Sequence, residues 1–511
     1  MSINRIPYWN ETGEKTHYPR LDRSISADAV IIGGGITGVT CAYRLEEKGL
    51  KPVLIEAGAL ADGTTGNTTG KVTIQHAVLY YKLEEKYGAE AARNYALSQS
   101  SALDFVKKAV EKESIECQLA ENTAYIFGVN EQEWDTLEKE YAAAKKIGIE
   151  AELLKNSDFP PGNKGLLGYP RQYVFHPVRY LDGLARAAAA KGAALYCDTK
   201  AIKLEPGDIN TVYCEGDIAV KAKHVVMATQ YPFYDGPNLF FTRLYPIRTY
   251  GIAVRAVRDW PEGSYINVGN PTRSIRSHVE KGERILIVVG ESHYTGRGQG
   301  EVHYDKLVQF AEQVAGVGEV IAKWSAQDYD TPDDLPYIGR VSDNSNIYVA
   351  SGFRKWGLSN GTLAGMLIAD LIEIGHCSYE GLYSRTRRDI TSSLGKMVAG
   401  TVNPVIELVK SKVEATQDIE GLQPGEGRVI RYKGERAGVY RDEGDNVTVL
   451  DITCTHVGTE LNFNAAERTW DCPAHGGRYN TDGKLLEGAP KDPLKVLFKG
   501  KYKDLLSELQ E

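Results

Sequence analysis

The 511-residue chain has no cluster of basic residues, and its 68 Asp and Glu against 60 Lys and Arg leave a formal net charge of -8. That balance argues against nucleic acid as a partner. No run of 18 apolar residues is present, so no transmembrane segment is expected. The opening MSINRIPYWNETGEKTHYPR is polar and lacks the apolar core of a signal peptide, which makes a cytoplasmic location the expectation. Cysteine is scarce. The seven are odd in number, and Cys41, Cys117, Cys197, Cys214 and Cys377 are scattered, which excludes a disulfide framework. There is no internal repeat and no low-complexity tract. A chain of this length should hold two or three domains, each with its own core.

What is there begins at Ala29–Ala57, AVIIGGGITGVTCAYRLEEKGLKPVLIEA. Val30, Ile31 and Ile32 read as a central parallel strand. Gly33, Gly35 and Gly38 follow in G-x-G-x-x-G spacing: one for a tight turn, one for close approach of a pyrophosphate, one for helix–strand packing. The helix expected from Ile36 to Lys48, with Thr37 in its first turn, aims its N-terminal N–H groups at the phosphates. Pro52–Ile55 is a second strand, and Glu56 stands at its end with 17 residues between it and Gly38, where a carboxylate can accept from a ribose diol. The loop alone leaves NAD and FAD both open. Past Glu56 comes a Gly/Thr-rich loop containing Thr64, Thr65, Gly66, Asn67, Thr68 and Thr69, read as hydroxyls and N–H groups lying along a pyrophosphate rather than as a plain solvent loop.

Helical patterns follow at Glu90–Lys112 and Glu131–Ile147, with strand material at Leu119–Phe127 and an alanine-rich helix after His176. His224–Thr229 and Ile347–Ala350 read as buried strands, the latter running into Ser351–Thr362 and a helix, Leu363–Ile374. Between Phe241 and Val289 the chain is β-rich with Gly and Pro turns, which predicts an antiparallel sheet forming a separate lobe. The fold class expected is α/β: a discontinuous dinucleotide-binding domain over 28–376 after a polar lead-in (1–27), with a lobe at about 101–160 and 236–325. A connector spans 377–424, and a second, β-rich domain spans 425–511. In the connector, Val405, Ile406, Leu408, Val409 and Val413 share one helical face, for packing on the main body or for docking at a membrane surface or partner.

The last two cysteines stand apart. Cys454-Thr-His456 is followed, 15 residues on, by Cys472-Pro-Ala-His475. Two Cys and two His at this spacing suit zinc. Each pair, however, offers one thiolate and one imidazole on a glycine turn. That matches a Rieske [2Fe–2S] centre, in which one iron takes two thiolates and the other two imidazoles, and [2Fe–2S] is the preferred reading.

With Tyr479, Gly483 and Gly488-Ala-Pro490, this unit resembles a Rieske domain. Members of high potential carry a loop-tying disulfide and a serine that bonds a bridging sulfide. Here Thr459 and Ala474 stand at the disulfide positions and Gly477 at the serine's, while the tyrosine is kept as Tyr479. A hydrogen bond to sulfur stabilises the reduced, more negative cluster. The potential is therefore expected low in the family's span of about -150 to +300 mV, and a redox titration midpoint above about +150 mV would contradict it.

Residues 28–375 resemble FAD-dependent amine oxidoreductases of the D-amino-acid oxidase and glycine oxidase type, through the glycine loop, the helix after His176, HVVMAT, DLPYIG and GFRKWGLSNGT. The whole chain resembles bacterial FAD-dependent oxidoreductases with a C-terminal Rieske domain, which share the GTTGNTTGKVT-like loop and His76. The resemblance implies FAD, covalently or non-covalently held. The ADP part would lie on Gly33, Gly35, Gly38 and Glu56, and the pyrophosphate and flavin along Thr64–Thr69. Adenine would meet the backbone at Ala201 and Ile202. The flavin pyrimidine would pass beside Gly352, Phe353, Lys355, Trp356, Gly357 and Leu358, with Thr362 near the ring oxygens.

No second G-x-G-x-x-G exists, so a separate NAD(P) domain is not expected, and the 36 residues after His475 leave no room for the mononuclear iron domain of a Rieske oxygenase. The function expected is a dehydrogenase that oxidises a small amine or N-substituted amino acid at a CH–N bond. Electrons would leave through the cluster to an external acceptor such as a ferredoxin or quinone. Alternatives are an oxygen-using oxidase with an auxiliary Rieske domain, a reductase fed through the cluster, and a non-enzymatic FAD-binding element. For a carboxylate substrate the candidates are Arg248, Tyr250, Arg276 and Arg354, with His293 nearby.

Overall fold

The computed structural model describes residues 6–155, 157–234, 242–297, 302–385, 387 and 416–510. The apolar connector face at Val405–Val413 lies outside them.

The first strand, Ile25–Ile32, is the centre of a parallel sheet. Its second half, Ala29–Ile32, is buried on both faces, each large side chain contributing about 1.5–3 kcal/mol. The main strand order is Tyr337–Arg340, Ile347–Ser351, Ile218–Met227, Ile25–Ile32, Pro52–Ile55 and Ala194–Tyr196, with the first antiparallel to its neighbour, and Ala201–Glu205 and Asn210–Cys214 add an antiparallel branch on Ile218–Met227. Ile32 stands opposite both Met227 and Ile55, so three strands end together at the glycine turn. The helices Ile36–Glu47 and Gly357–Ile374 cross in close contact there. A Cβ on Gly361 would come 2.5 Å from Ile36 Cγ2, and one on Gly365 2.7 Å from Thr40 Cβ. These glycines bring the closing GFRKWGLSNGT segment down onto the nucleotide turn.

The lobe is a nine-stranded sheet, wider than the sequence predicts. Its order is Val317–Asp330, Tyr245–Ala256, Glu283–Tyr294, Arg273–Glu280, Ser264–Asn267, Ala120–Gly128, Gly165–Val174 and Lys71–Val72, with Glu152–Lys155 beside Gly165–Val174. The strands Lys71–Val72 and Gly165–Val174 of this sheet fall outside 101–160. One pair, Ser264–Asn267 with Ala120–Gly128, is parallel. The first long helix is also longer than its pattern: it spans Tyr80–Lys112, and Gly88 (φ 84°, ψ 164°) breaks its periodicity.

The C-terminal domain is two four-stranded antiparallel sheets. One joins Gly427–Tyr432, Glu435–Arg441, Asn446–Leu450 and Val496–Lys501. The other joins Asn462–Asn464, Thr469–Asp471, Arg478–Asn480 and Leu485–Glu487. It sits against the lobe strands 245–256 and 317–330. Gln327 Nε2 donates to Gly476 O (2.9 Å), Tyr329 Oη to His475 O (3.1 Å), and Asn462 Nδ2 to Gly296 O (2.9 Å).

Candidate active site and cluster site

One cavity of about 480 Å³ runs from the glycine turn to the lobe. At the turn, Gly33 adopts φ +113°, where a Cβ would collide with Ala228 O at 2.5 Å. Gly38 does not face the cavity; a Cβ there would stand 1.9 Å from Gly33 O, so its role is to let the helix sit on the turn. Glu56 accepts from Gly34 N (2.6 Å) and Gly58 N (2.9 Å), and burial pushes its carboxyl above the usual range. Thr65 Oγ1 accepts from Ile36 N at 3.0 Å and closes the first turn of the helix. The Thr64–Thr69 loop is pinned from behind by the lobe: Thr64 Oγ1 donates to Gln327 O (3.0 Å), and Trp324 Nε1 to Asn67 O (3.0 Å).

Gly33, Gly35, Ile36, Thr37, Glu56, Thr64, Thr65, Asn67, Thr68, Thr69, Ala201, Phe353, Lys355, Trp356, Gly357 and Leu358 all stand in the cavity wall. Besides Gly38, four expected residues do not. Ile202 points outward and is 39% exposed, its neighbours Thr199 and Lys200 forming the wall instead. Gly66 packs against Ala61 O, and Gly352 against Thr331. Thr362 is buried within its helix, donating to Leu358 O at 2.7 Å.

None of the four substrate candidates lines the cavity. Side chains alternate across a strand, and Arg248 and Tyr250 lie on the face turned to the C-terminal domain, while Thr249 between them lines the cavity. Arg248 pairs with Glu487, and Tyr250 Oη meets His293 Nε2 at 3.0 Å. Arg276 is one step past the cavity-lining Ser274. Its Nη1 donates to Gly70 O (2.6 Å), and its guanidinium lies 5.0 Å over the Trp9 ring. Arg354 is held by Asp334 at 2.8 Å.

The lobe end of the cavity is lined instead by Lys71, Thr249, Ile266, Ser274, Ser292 and Lys355 with Trp356. Lys71 Nζ lies 2.5 Å from Ser274 Oγ, and burial, with Arg276 nearby, pushes its ammonium down to about 7. Lys355 opens into the cavity and donates to Ser292 Oγ at 2.9 Å. Its backbone adopts φ +72° directly after Arg354 at φ +53°. Two such residues in a row are strained, and the turn is held by Asp328, which accepts from Lys355 N and whose carboxyl burial pushes up to about 6. Trp356 stacks on His76 (centroids 4.7 Å), a ring kept neutral by burial and fixed by Tyr95 Oη at 2.6 Å. Lys71 is not among the residues singled out from sequence, and Lys355 is expected only beside the flavin pyrimidine; strand parity around Thr249 separates the two faces but does not say which one lines the cavity.

In the C-terminal domain, Cys454, Cys472 and His475 are buried and His456 half-buried. The two imidazole centroids are 4.9 Å apart. The thiols share a hydrogen bond that pushes Cys454 down to about 7 and Cys472 well up. Two thiols facing each other and two imidazoles facing each other, with His456 Nδ1 buried and unpartnered, fit a [2Fe–2S] centre. Tyr479 Oη is 3.9 Å from Cys454 Sγ. None of the seven cysteines is in a disulfide. A side chain at Gly477 is excluded, since its Cβ would stand 2.6 Å from Pro490 Cγ.

The two sites adjoin. Tyr231 lines the cavity and presents its ring edge-on to both imidazoles, at centroid distances of 6.1 Å to His456 and 6.4 Å to His475.

This is the architecture of a flavin-dependent oxidoreductase that carries its own iron–sulfur centre. The model of the FAD dependent oxidoreductase family (DAO) matches residues 28–371, and that of the Rieske [2Fe-2S] domain matches 411–497. The chain belongs to the FAD dependent oxidoreductases of the D-amino-acid oxidase and glycine oxidase type, and it binds FAD and a [2Fe–2S] cluster. It is 36% identical over 493 residues to the Bacillus subtilis (strain 168) protein YhfW, whose name describes a Rieske 2Fe-2S iron-sulfur protein; the match covers 96% of this chain and 97% of that one. It is 23% identical to gamma-glutamylputrescine oxidoreductase of Escherichia coli (strain K12), over 70% of this chain and 85% of that one. The fold is that of glycine oxidase from Geobacillus kaustophilus (TM-score 0.61, 22% identity, 71% of this chain and 99% of that one). Among the described residues, no helix is long and apolar enough to cross a membrane.

Proposed function

We propose that the chain is a cytoplasmic dehydrogenase for a small amine or N-substituted amino acid, and that electrons leave its FAD through the Rieske cluster for an external acceptor. The observation that carries this reading is Tyr231, which belongs at once to the cavity wall and to the surroundings of both cluster imidazoles. The amine and amino-acid chemistry in the names of the Escherichia coli oxidoreductase and the glycine oxidases supports the substrate class.

The FAD would be held by the Gly33–Thr37 turn, Glu56, the Thr64–Thr69 loop and the Phe353–Leu358 segment. When bound, FAD accepts a hydride from a carbon next to nitrogen, and a [2Fe–2S] centre carries single electrons, so the pair converts two-electron into one-electron chemistry. The protein's task is to bind and orient the substrate and to manage its proton. Lys355, positioned by Ser292 and Asp328, offers an ammonium for a substrate carboxylate. Trp356, backed by His76, gives a rigid apolar wall. Neutral Lys71 takes the proton from the substrate ammonium at Nζ and leaves the lone pair that a CH–N oxidation needs.

The sign of the pH dependence follows. The Lys71 ammonium is pushed down to about 7, so its neutral form grows as pH rises through that value. kcat/KM is expected to climb between about pH 6 and 8. In Lys71→Met it should fall about 100-fold at pH 7, and the deficit should shrink toward the substrate amine's own pKa. A pH profile of Lys71→Met parallel to wild type would remove this role. The substrate class itself is tested by an anaerobic screen of amines and N-substituted amino acids. A member of the class should bleach the flavin absorbance, and bleaching only by unrelated compounds would overturn the assignment.

A further inference from the structure

Glu487–Lys491 belongs to the C-terminal domain, yet all five residues stand in the wall of the dinucleotide cavity, beside Thr199, Lys200 and Ala201. The same segment bears on the cluster site from its other side. Gly488 adopts φ +101°, and a Cβ on it would stand 2.7 Å from Gly476 O and 2.8 Å from Gly477 Cα. The Pro490 ring lies over Gly477, whose own Cβ position is 3.5 Å from Cys454 Sγ. Ala489 is buried in the apolar cluster of the flavin domain with Tyr231, Leu244 and Tyr329. Glu487 is anchored by Arg248 and, at 2.7 Å, by Arg478. A strap one residue thick thus separates the cavity from the turn that carries two cluster ligands, Cys472 and His475.

We propose that Glu487–Lys491 is part of the FAD site, and that FAD and the cluster hold each other in place through it. The strap's shape is set by the Gly476–Gly477 turn, which is fixed when Cys472 and His475, just before it, are ligated. A fixed strap closes the cavity on that side; a loose one opens it. Because such coupling is reciprocal, whatever factor the cluster contributes to FAD retention, FAD contributes to cluster retention. The inference requires only that both groups bind, not that electrons pass between them, so it fails or stands separately from the proposed function.

The test uses the full chain and follows FAD release after dilution by the fluorescence of the freed flavin, with cluster content read from visible absorbance and EPR. Three preparations are compared: wild type, wild type from iron-depleted growth, and Pro490→Gly, which loosens the strap while leaving all four ligands. The cluster-free protein and Pro490→Gly are each expected to release FAD about tenfold faster than wild type. FAD-stripped wild type should also lose its cluster faster than the FAD-loaded protein. Release rates within about twofold of wild type in both would overturn the coupling. If Pro490→Gly does not fold, the cluster-free wild type decides alone.

Discussion

Replacing Cys472 by serine in the full chain should remove the cluster's visible and EPR signals and cut turnover with a one-electron acceptor by more than about 100-fold. Losing even an outer hydrogen-bond partner of a metal ligand costs roughly 10–100-fold, and Cys472 is proposed as a ligand itself. It is fully buried and faces Cys454, so no water-borne substitute can take its place. The informative readout is the split between half-reactions. Substrate should still bleach the flavin within about threefold of the wild-type rate, because Lys71, Lys355 and Trp356 are untouched. Only reoxidation by the acceptor should fail. Unchanged turnover in air would instead favour the oxidase reading, with the C-terminal domain as an auxiliary. Flavin bleaching by a reduced ferredoxin, lost in Cys472→Ser, would favour the reductase.

Gly38→Val is the second large effect, on FAD binding rather than on electron flow. A Cβ at Gly38 would stand 1.9 Å from the carbonyl of Gly33, closer than any non-bonded pair tolerates, and the obstacle is backbone that cannot rotate away. The helix must lift from the turn, and Ile36 N must leave Thr65 Oγ1. The expected result is FAD affinity lowered by at least about 100-fold, or about 2.7 kcal/mol. The isolated protein should come off the column without yellow colour. The C-terminal domain has its own apolar cores, around Trp470 and around Val447, so the cluster should still assemble, although it should be lost faster than from the FAD-loaded protein. A Gly38→Val protein with full flavin content would refute the reading of this turn.

The fold was legible wherever one local pattern decides one element. The run at Val30–Ile32 and the G-x-G-x-x-G that follows carry their own geometry. So do the two C-x-H and C-x-x-H turns, because a metal centre needs its ligand types at fixed spacings. The lobe was legible as β but not in extent, since pairing of Lys71–Val72 and Gly165–Val174 depends on partners about a hundred residues apart. The substrate wall was misread for a specific reason. Arg248 and Tyr250 have the chemistry of a carboxylate clamp, but which face of a strand is the cavity face is fixed by what packs on the other side. Here that is the C-terminal domain, through Glu487 and Asn464. A domain–domain contact leaves no periodic trace in either domain's sequence. The same contact explains Arg248's burial: a lone guanidinium in an apolar sheet would be costly, and Glu487, pushed down to about 2 by Arg248 and Arg478, supplies the charge that holds it.

In the proposed function, the flavin and the cluster exchange electrons inside one chain, across Tyr231. This exchange is tested most directly by photochemical reduction of the flavin in the anaerobic full-length protein, without substrate or acceptor, followed by optical spectroscopy and freeze-quench EPR. Flavin bleaching is expected to be followed by the paramagnetic signal of the reduced [2Fe–2S] centre, at a rate independent of protein concentration. A flavin that stays reduced beside an oxidised cluster, or a transfer rate that scales with protein concentration, would contradict it.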